Sequence, residues 1–203
     1  MRYTEFYREF KVFEIFSTSD IHLVYPDFDN RRLVEWQKKG YITKIRKEFY
    51  YFSDVEINEF FLNRVANKIY KPSYISLESA LSYYGFIPEG VFSRTSMTSR
   101  NTVSFNTVLG SFSYHHLKPS FFFGYKIVEN QNGKYTIAEP EKALLDFLYI
   151  RKPYDIETIN GMRFNEDRIN EVIDYKILDD YLSVFRSVVL NRRIRKFKKM
   201  VNA

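Results

Sequence analysis

The sequence predicts an α+β fold on three features. Apolar residues keep helical spacing up to position 39, short strand-like runs take over between 86 and 137, and helical spacing returns from 139 onward. Tyr3, Phe6, Phe10 and Phe13 recur three and four apart with charged residues between them, which predicts an amphipathic helix over 3–15. Ser19 is placed to cap a short helix beginning at Asp20 and closed by Pro26. Asp29 suits an N-cap and Gly40 a C′ position, so a third helix is expected over 30–39. Its inner side carries Leu33 and Trp36, and its outer side carries Arg31, Arg32, Glu35, Lys38 and Lys39.

Residues 41–52, YITKIRKEFYYF, read as two short antiparallel strands around a charged tip. Tyr50 and Tyr51 are the hairpin aromatics placed to touch a nucleic-acid backbone, and alternation turns at least one of them inward. Three helices followed by a basic hairpin make a winged helix-turn-helix, assigned to residues 1–53. Asp54 is expected to cap a linking helix over 55–69, within a linker at 54–70. The second domain, 71–203, begins with a short helix over 77–84, capped by Ser76 and stopped by Gly85. Strands are expected at Val91-Phe92, Val103–Phe105, Ser111–Tyr114, Phe121–Val128 and Tyr135–Ile137, with Asn132-Gly133 as a turn. Pro140 at the first helical position opens a helix reaching Tyr149. Helices over 165–174, 178–189 and 191–200 complete a mixed domain with a small, mostly antiparallel sheet and C-terminal helices.

Composition removes several chemistries. The absence of Cys excludes disulfides, thiolate nucleophiles, zinc fingers and iron–sulfur clusters. No apolar run approaches the ~20 residues that span a bilayer, and glutamates occupy the start of the chain where a signal peptide is apolar. A cytoplasmic protein without a membrane partner is expected. Aromatic residues make up 19% of the chain. Both a Phe-rich core encoded by A·T-rich codons and an aromatic surface for bases or a protein would account for them.

Charge is segregated. Residues 186–203 carry seven basic and no acidic side chains, more than the net +6 of the whole chain. Residues 29–47 carry seven basic against two acidic. In a winged helix-turn-helix the third helix enters the major groove and the hairpin tracks the backbone. The candidate DNA-binding residues are therefore Arg31, Arg32, Glu35, Lys38 and Lys39 on the helix, with Lys44, Arg46 and Lys47 on the wing. An arginine takes guanine O6 and N7 bidentately, whereas lysines suit phosphates. Glu35 either accepts from a cytosine amino group or pairs with Arg31 or Lys39. A second phosphate-binding surface is offered by Arg192, Arg193, Arg195, Lys196, Lys198 and Lys199, which surround an apolar stripe of Leu190, Ile194 and Phe197. A solvated terminal helix, or one that meets RNA, membrane or an acidic protein, fits the same pattern.

No catalytic residue, metal ligand or cofactor is assigned. His22 reads as structural or as a phosphate neighbour, and the neighbours His115 and His116 point to opposite faces of a strand. Neither GxxxxGK[ST], GxGxxG nor HExxH occurs. Lys142 and Asp146, four apart on a helix, read as an ordinary stabilising pair, or as a polar site if partly buried. Ser96, Thr98, Ser99 and Arg100 form a polar patch that suits either an anion or a plain loop.

The chain resembles the AbiEi family of antitoxins and transcriptional regulators from bacterial type IV toxin–antitoxin (abortive infection) systems. The resemblance rests on KKGYITKIRKEFYYF at 38–52, ANKIYKPSYISLESALSYYGFIPEG at 66–90, TSMTSR at 95–100 and IAEPEKALLDFLY at 137–149. It implies a non-enzymatic autorepressor that binds inverted repeats in double-stranded promoter DNA through its N-terminal domain. It further implies an antitoxin C-terminal domain with extra basic DNA contacts. The toxin it opposes would be nucleotidyltransferase-like, with no stable complex between the two. The protein itself would be a monomer or weak dimer in solution. The competing expectations are a winged-helix module that docks a protein, and an enzyme acting on nucleotides or on the toxin through Lys142 and Asp146.

Overall fold

The computed structural model describes residues 1–88, 93–151 and 163–201. They form a mixed α+β structure built around two sheets. The expected strand at Val91-Phe92 lies outside the described residues.

The chain opens with α1 (Tyr3–Phe10) and a single 3₁₀ turn (Lys11–Phe13), which stops short of the helix expected to reach 15. Glu14, at φ 56°, ends it and turns the chain into strand β1 (Ile15–Ser17). Ser17, rather than Ser19, caps α2 (Thr18–Val24): its hydroxyl accepts from the Asp20 amide while Asp20 returns a bond to the Ser17 amide. Helix α3 (Arg31–Lys38) follows, and Gly40, at φ 71°, lets the chain leave it for the hairpin β2 (Ile42–Arg46) and β3 (Phe49–Phe52). The three strands form one antiparallel sheet in the order β1-β3-β2.

This sheet is covered on both sides. Phe16, Ile42, Tyr50 and Phe52 face a small core with Phe6, Phe10, Leu33 and Trp36 of α1 and α3. Ile15, Ile45 and Tyr51 face the larger core, against Phe61, Val65 and Ile69 of α4 (Glu59–Ile69). Asn58, not Asp54, caps α4, its side-chain oxygen accepting from the Phe61 amide; Asp54 instead accepts from the Tyr7 hydroxyl. Tyr50 and Tyr51 are thus both buried, one in each core, where the alternation argument required only one.

The larger sheet has six strands in the order β6-β7-β5-β4-β9-β8, formed by β4 (Ser73–Ile75), β5 (Ser93–Thr98), β6 (Val103–Thr107), β7 (Gly110–His116), β8 (Tyr125–Asn130) and β9 (Gly133–Ala138). It is antiparallel at β6–β7, β5–β4 and β9–β8, and parallel at β7–β5 and β4–β9. It is larger and more mixed than expected because β4 and β5 lack the apolar alternation that marks a strand. In β5, Thr95 donates its hydroxyl to the Ser76 carbonyl at 2.7 Å and Thr98 to that of Pro72 at 2.7 Å, which lets small polar side chains lie buried. Ser96 and Thr98 of the polar patch therefore belong to an interior strand rather than a loop, while Ser99 and exposed Arg100 lie in the bend that follows it. Residues expected as strand at 121–124 instead contain the end of a 3₁₀ turn (Pro119–Phe121) and the approach to β8.

Helix α5 (Leu77–Tyr83) and helix α6 (Pro140–Ile150) pack into the larger core, and α7 (Glu166–Val172), α8 (Tyr175–Phe185) and α9 (Val188–Val201) close over α6. The Ser76 hydroxyl does not cap α5; it donates to Asp146 of α6 at 2.9 Å. Lys142 and Asp146 are not a surface pair. Both side chains are 0% exposed and in direct ion contact. Tyr74 donates to Asp146 at 2.8 Å, Lys142 donates to the Tyr74 hydroxyl at 2.9 Å, and the rings of Phe123 and Phe185 stand 5.3 Å from the ammonium group. Burial pushes the lysine's pKa down and the carboxyl's up, and each partner's charge opposes that shift. Gly124, at φ 68°, passes over this site where a Cβ would lie 3.0 Å from the Tyr181 ring and 3.1 Å from the Lys142 stem. The arrangement makes Lys142 essential to the core's electrostatics. Lys142→Met should destabilise the protein by about 3–5 kcal/mol by stranding the carboxylate, measured from urea denaturation midpoints. A loss below ~1 kcal/mol would show that Tyr74 and Ser76 hold Asp146 adequately alone.

Candidate nucleic-acid interface

The residues expected to meet DNA fall into two groups once their neighbours are known. On α3, every buried side chain faces inward, so Trp36 and Leu33 lie in the small core as expected, and the charged residues face out. Asn30 occupies the cap position, and the Asp29 carboxylate instead accepts from the Arg31 amide at 3.0 Å and from its guanidinium Nε at 2.9 and 3.0 Å. The Arg31 side chain is nevertheless 91% exposed. Its guanidinium holds the Asp29 carboxyl below the usual carboxylate range. Glu35 sits between two cations, accepting from Lys39 at 2.7 Å and from Arg32 at 3.2 Å; Lys39, then Arg32, keeps its carboxyl low. Lys38, Lys44 and Lys47 are exposed, and no ion pair involves them among the described residues. Because these groups are solvated, the pairs add little to stability; they orient the side chains.

Arg46 behaves differently. Strand pairing runs Lys44↔Tyr50 and then Arg46↔Phe49, so Ile45 is an extra residue and the hairpin is bulged. Regular alternation would put Arg46 beside Lys44. The bulge turns it to the opposite side, where it donates to the Ile69 carbonyl at 3.1 Å and its guanidinium lies 3.7 Å from the Phe105 ring centre. The wing assignment of Arg46 is corrected accordingly: its side chain fastens the hairpin to α4 and β6.

Two further contacts reinforce that mount. Arg64 is ion-paired with Glu14 and donates to the Phe13 carbonyl at 3.0 Å, and Lys68 pairs with Asp20 at 2.7 Å. Burial alone would raise the Asp20 carboxyl, but hydrogen bonds from Lys68 and Ser17 outweigh it and hold it low. The sequence reading missed Arg64 and Lys68, because an arginine or lysine within a helix carries no signal of its distant partner.

On α9, Arg192, Arg195, Lys196 and Lys199 are exposed and lie along one side at spacings of three and four, opposite buried Leu190, Ile194, Phe197 and Val201. Arg193 and Lys198 leave this stripe. Arg193 donates to the carbonyls of Leu148 at 2.5 Å and Arg151 at 3.1 Å, satisfying the C-terminal end of α6. Lys198 pairs with Asp179 at 2.7 Å.

His22 lies 3.1 Å from the Pro26 carbonyl and His116 lies 2.9 Å from that of Arg100. Among the described residues no group of three or more His, Asp or Glu is placed to hold a metal ion, and no helix is long and apolar enough to cross a membrane. Comparison with protein-family models and with curated proteins gives no match to this sequence.

Two outcomes test the division of the basic residues. Arg46→Ala should cost about 2 kcal/mol, from a charged hydrogen bond and a ring contact, while Lys44→Ala and Lys47→Ala should each stay within ~0.5 kcal/mol of the native protein, all by denaturant unfolding. The Asp20 contribution is present above the unfolded carboxyl value of about 3.9 and lost as pH falls through the lower folded value. Asp20→Asn should therefore flatten the decline in stability below about pH 4; an unchanged pH profile would show the Lys68 contact to be idle.

Proposed function

We propose that this chain is a sequence-specific DNA-binding repressor of the winged helix-turn-helix type. In this reading residues 1–53 are the DNA-binding domain, 54–70 the connection and 71–203 the second domain. The observation that carries it is the outward side of α3 and the adjoining hairpin tip. They present Arg31, Arg32, Lys38, Lys39, Lys44 and Lys47 to solvent within one stretch of chain.

The geometry supplies a role for each group. The Arg31 fork already grips two carboxylate oxygens, and the O6 and N7 of guanine offer a comparable pair of acceptors. Asp29 then holds the fork in the solvent-facing position until a base edge replaces it. Glu35 steadies Arg32 and accepts from a cytosine amino group. Lys38, Lys44 and Lys47 neutralise phosphates. The four-residue stripe on α9 serves as a second phosphate-binding surface.

The AbiEi resemblance extends the proposal to an autorepressor and antitoxin of a type IV toxin–antitoxin operon. Two copies would sit on inverted repeats, opposing a nucleotidyltransferase-like toxin without a stable complex. A protein-docking role is the second reading, favoured by exposed Leu23, Val24 and Val34 on α2 and α3. An enzymatic role for Lys142 and Asp146 has no support in their placement, since both are sealed in the core.

A mobility shift on the DNA upstream of the gene tests the proposal. Arg31→Ala/Arg32→Ala should weaken binding by at least about tenfold, since a bidentate arginine–base pair is worth ~1–3 kcal/mol. Lys196→Ala/Lys199→Ala should weaken binding to all sequences alike and reduce the salt slope by about two. Equal affinity for both forms of α3 rejects the recognition helix. Recovery of one stoichiometric protein partner without DNA retention supports docking instead.

A further inference from the structure

Two adjoining cavities of about 370 and 340 Å³ open between α4 and the β8–β9 hairpin, and Asn67, Lys71 and Lys134 line both. Each volume is at the small end of the range for ligand sites. Their lining is chemically one-sided: every charged residue in it is a cation, and no carboxylate contributes. Arg64 and Lys68, at the wall nearest the N-terminal sheet, are engaged by Glu14 and Asp20. Lys71 and Lys134 are exposed, and no ion pair involves them among the described residues.

Two neutral donors stand beside these lysines. The Asn67 side-chain oxygen accepts from the Thr136 amide at 2.6 Å and from its hydroxyl at 2.9 Å, while its Nδ2 is buried with no partner. The Ser73 hydroxyl, in the second cavity, is also buried and unpartnered. A buried donor without an acceptor costs free energy, and here two of them share a site with two unpaired ammonium groups. The remaining wall is apolar and aromatic. Phe122, Tyr125 and Ile127 form it, and Tyr125 stacks on Tyr74 at 5.0 Å while staying 40% exposed. Gly133 closes the far side: its φ of 123° favours glycine, and a Cβ there would lie 2.9 Å from the Arg64 Nε.

We propose that these cavities form a binding site for a free mononucleotide. Its base would lie against Tyr125 and Phe122, and its phosphate between Lys71 and Lys134, above the buried Asn67 amide and Ser73 hydroxyl. A phosphate matches this set better than a carboxylate because it brings nearly two negative charges and three acceptor oxygens. The site is separate from the basic surfaces of α3 and α9, and the proposal is independent of DNA binding.

Calorimetric titration of the full chain with adenosine monophosphate, adenosine, inorganic phosphate and a short single-stranded oligonucleotide tests it. The monophosphate should bind with a Kd below about 1 mM. Adenosine and inorganic phosphate should each bind at least about tenfold more weakly, a difference of ~1.4 kcal/mol. Lys71→Ala/Lys134→Ala should cost a similar factor, with the exposed lysines removed and the fold intact by circular dichroism. Arg31→Ala/Arg32→Ala and Lys196→Ala/Lys199→Ala should leave nucleotide affinity unchanged. The proposal is overturned by any of four results: no saturable binding by the monophosphate, inorganic phosphate binding as tightly, the oligonucleotide outcompeting the monophosphate at this site, or full affinity in the Lys71/Lys134 variant.

Discussion

The β1-β3-β2 sheet has no solvent face. Phe16, Tyr50 and Phe52 pack on one side under α1 and α3, and Ile15, Ile45 and Tyr51 pack on the other against α4. With both faces apolar, charge is confined to the hairpin tip, the outer side of α3 and the sheet's margins. The same burial makes α4 a brace: it fills the second face of the sheet, where a flexible connection would leave Ile45 and Tyr51 in water. The N-terminal basic surface is consequently carried on a fixed support.

Around that support, cations divide by whether an acceptor waits for them within the fold. Arg46, Arg64 and Lys68 cross from one core to the other and end on a carbonyl or a carboxylate. Arg193 closes the end of α6. Their charges serve cohesion, and the count of 31 basic residues overstates what is available to a partner. Among the outward cations, three groups bear on the proposed binding sites: α3 with the hairpin tip, the α9 stripe, and the lysines beside the β8–β9 hairpin; Arg2, Arg8, Lys11, Lys118, Lys126 and Lys176 are exposed elsewhere. The proposed DNA contacts and the proposed nucleotide site draw on different members of this set. A polar cluster sealed from solvent, Lys142–Asp146–Tyr74–Ser76, stands apart from all of them and ties α6 to β4 and the start of α5.

Helical periodicity in the sequence located most helices within a few residues, since an apolar stripe at 3.6-residue spacing is a local property. Phe6 and Phe10, Leu33 and Trp36, and Leu190, Ile194 and Phe197 all bury the side their spacing indicates. Strands were less legible. Strand β5 is polar in composition and interior in position, and its Thr95 and Thr98 hydroxyls donate to the carbonyls of Ser76 and Pro72, 19 and 26 positions away. Ser17 and Asn58 displaced the expected caps by two and four residues, because cap choice depends on where the preceding chain allows extended backbone.

The sequence by itself determined an α+β chain without cysteine chemistry, an amphipathic basic tail and an outward basic side on the third helix. Those are consequences of composition and of neighbours within one or two helical turns. Tertiary structure alone decided which basic residues are free, where Lys142 and Asp146 lie, and that the hairpin bulge reverses Arg46. It also brought Asn67, Lys71, Ser73 and Lys134 around common cavities. The physical reason is range: periodicity records which way a side chain faces from its own element, whereas pairing and burial depend on groups that only the folded chain brings near.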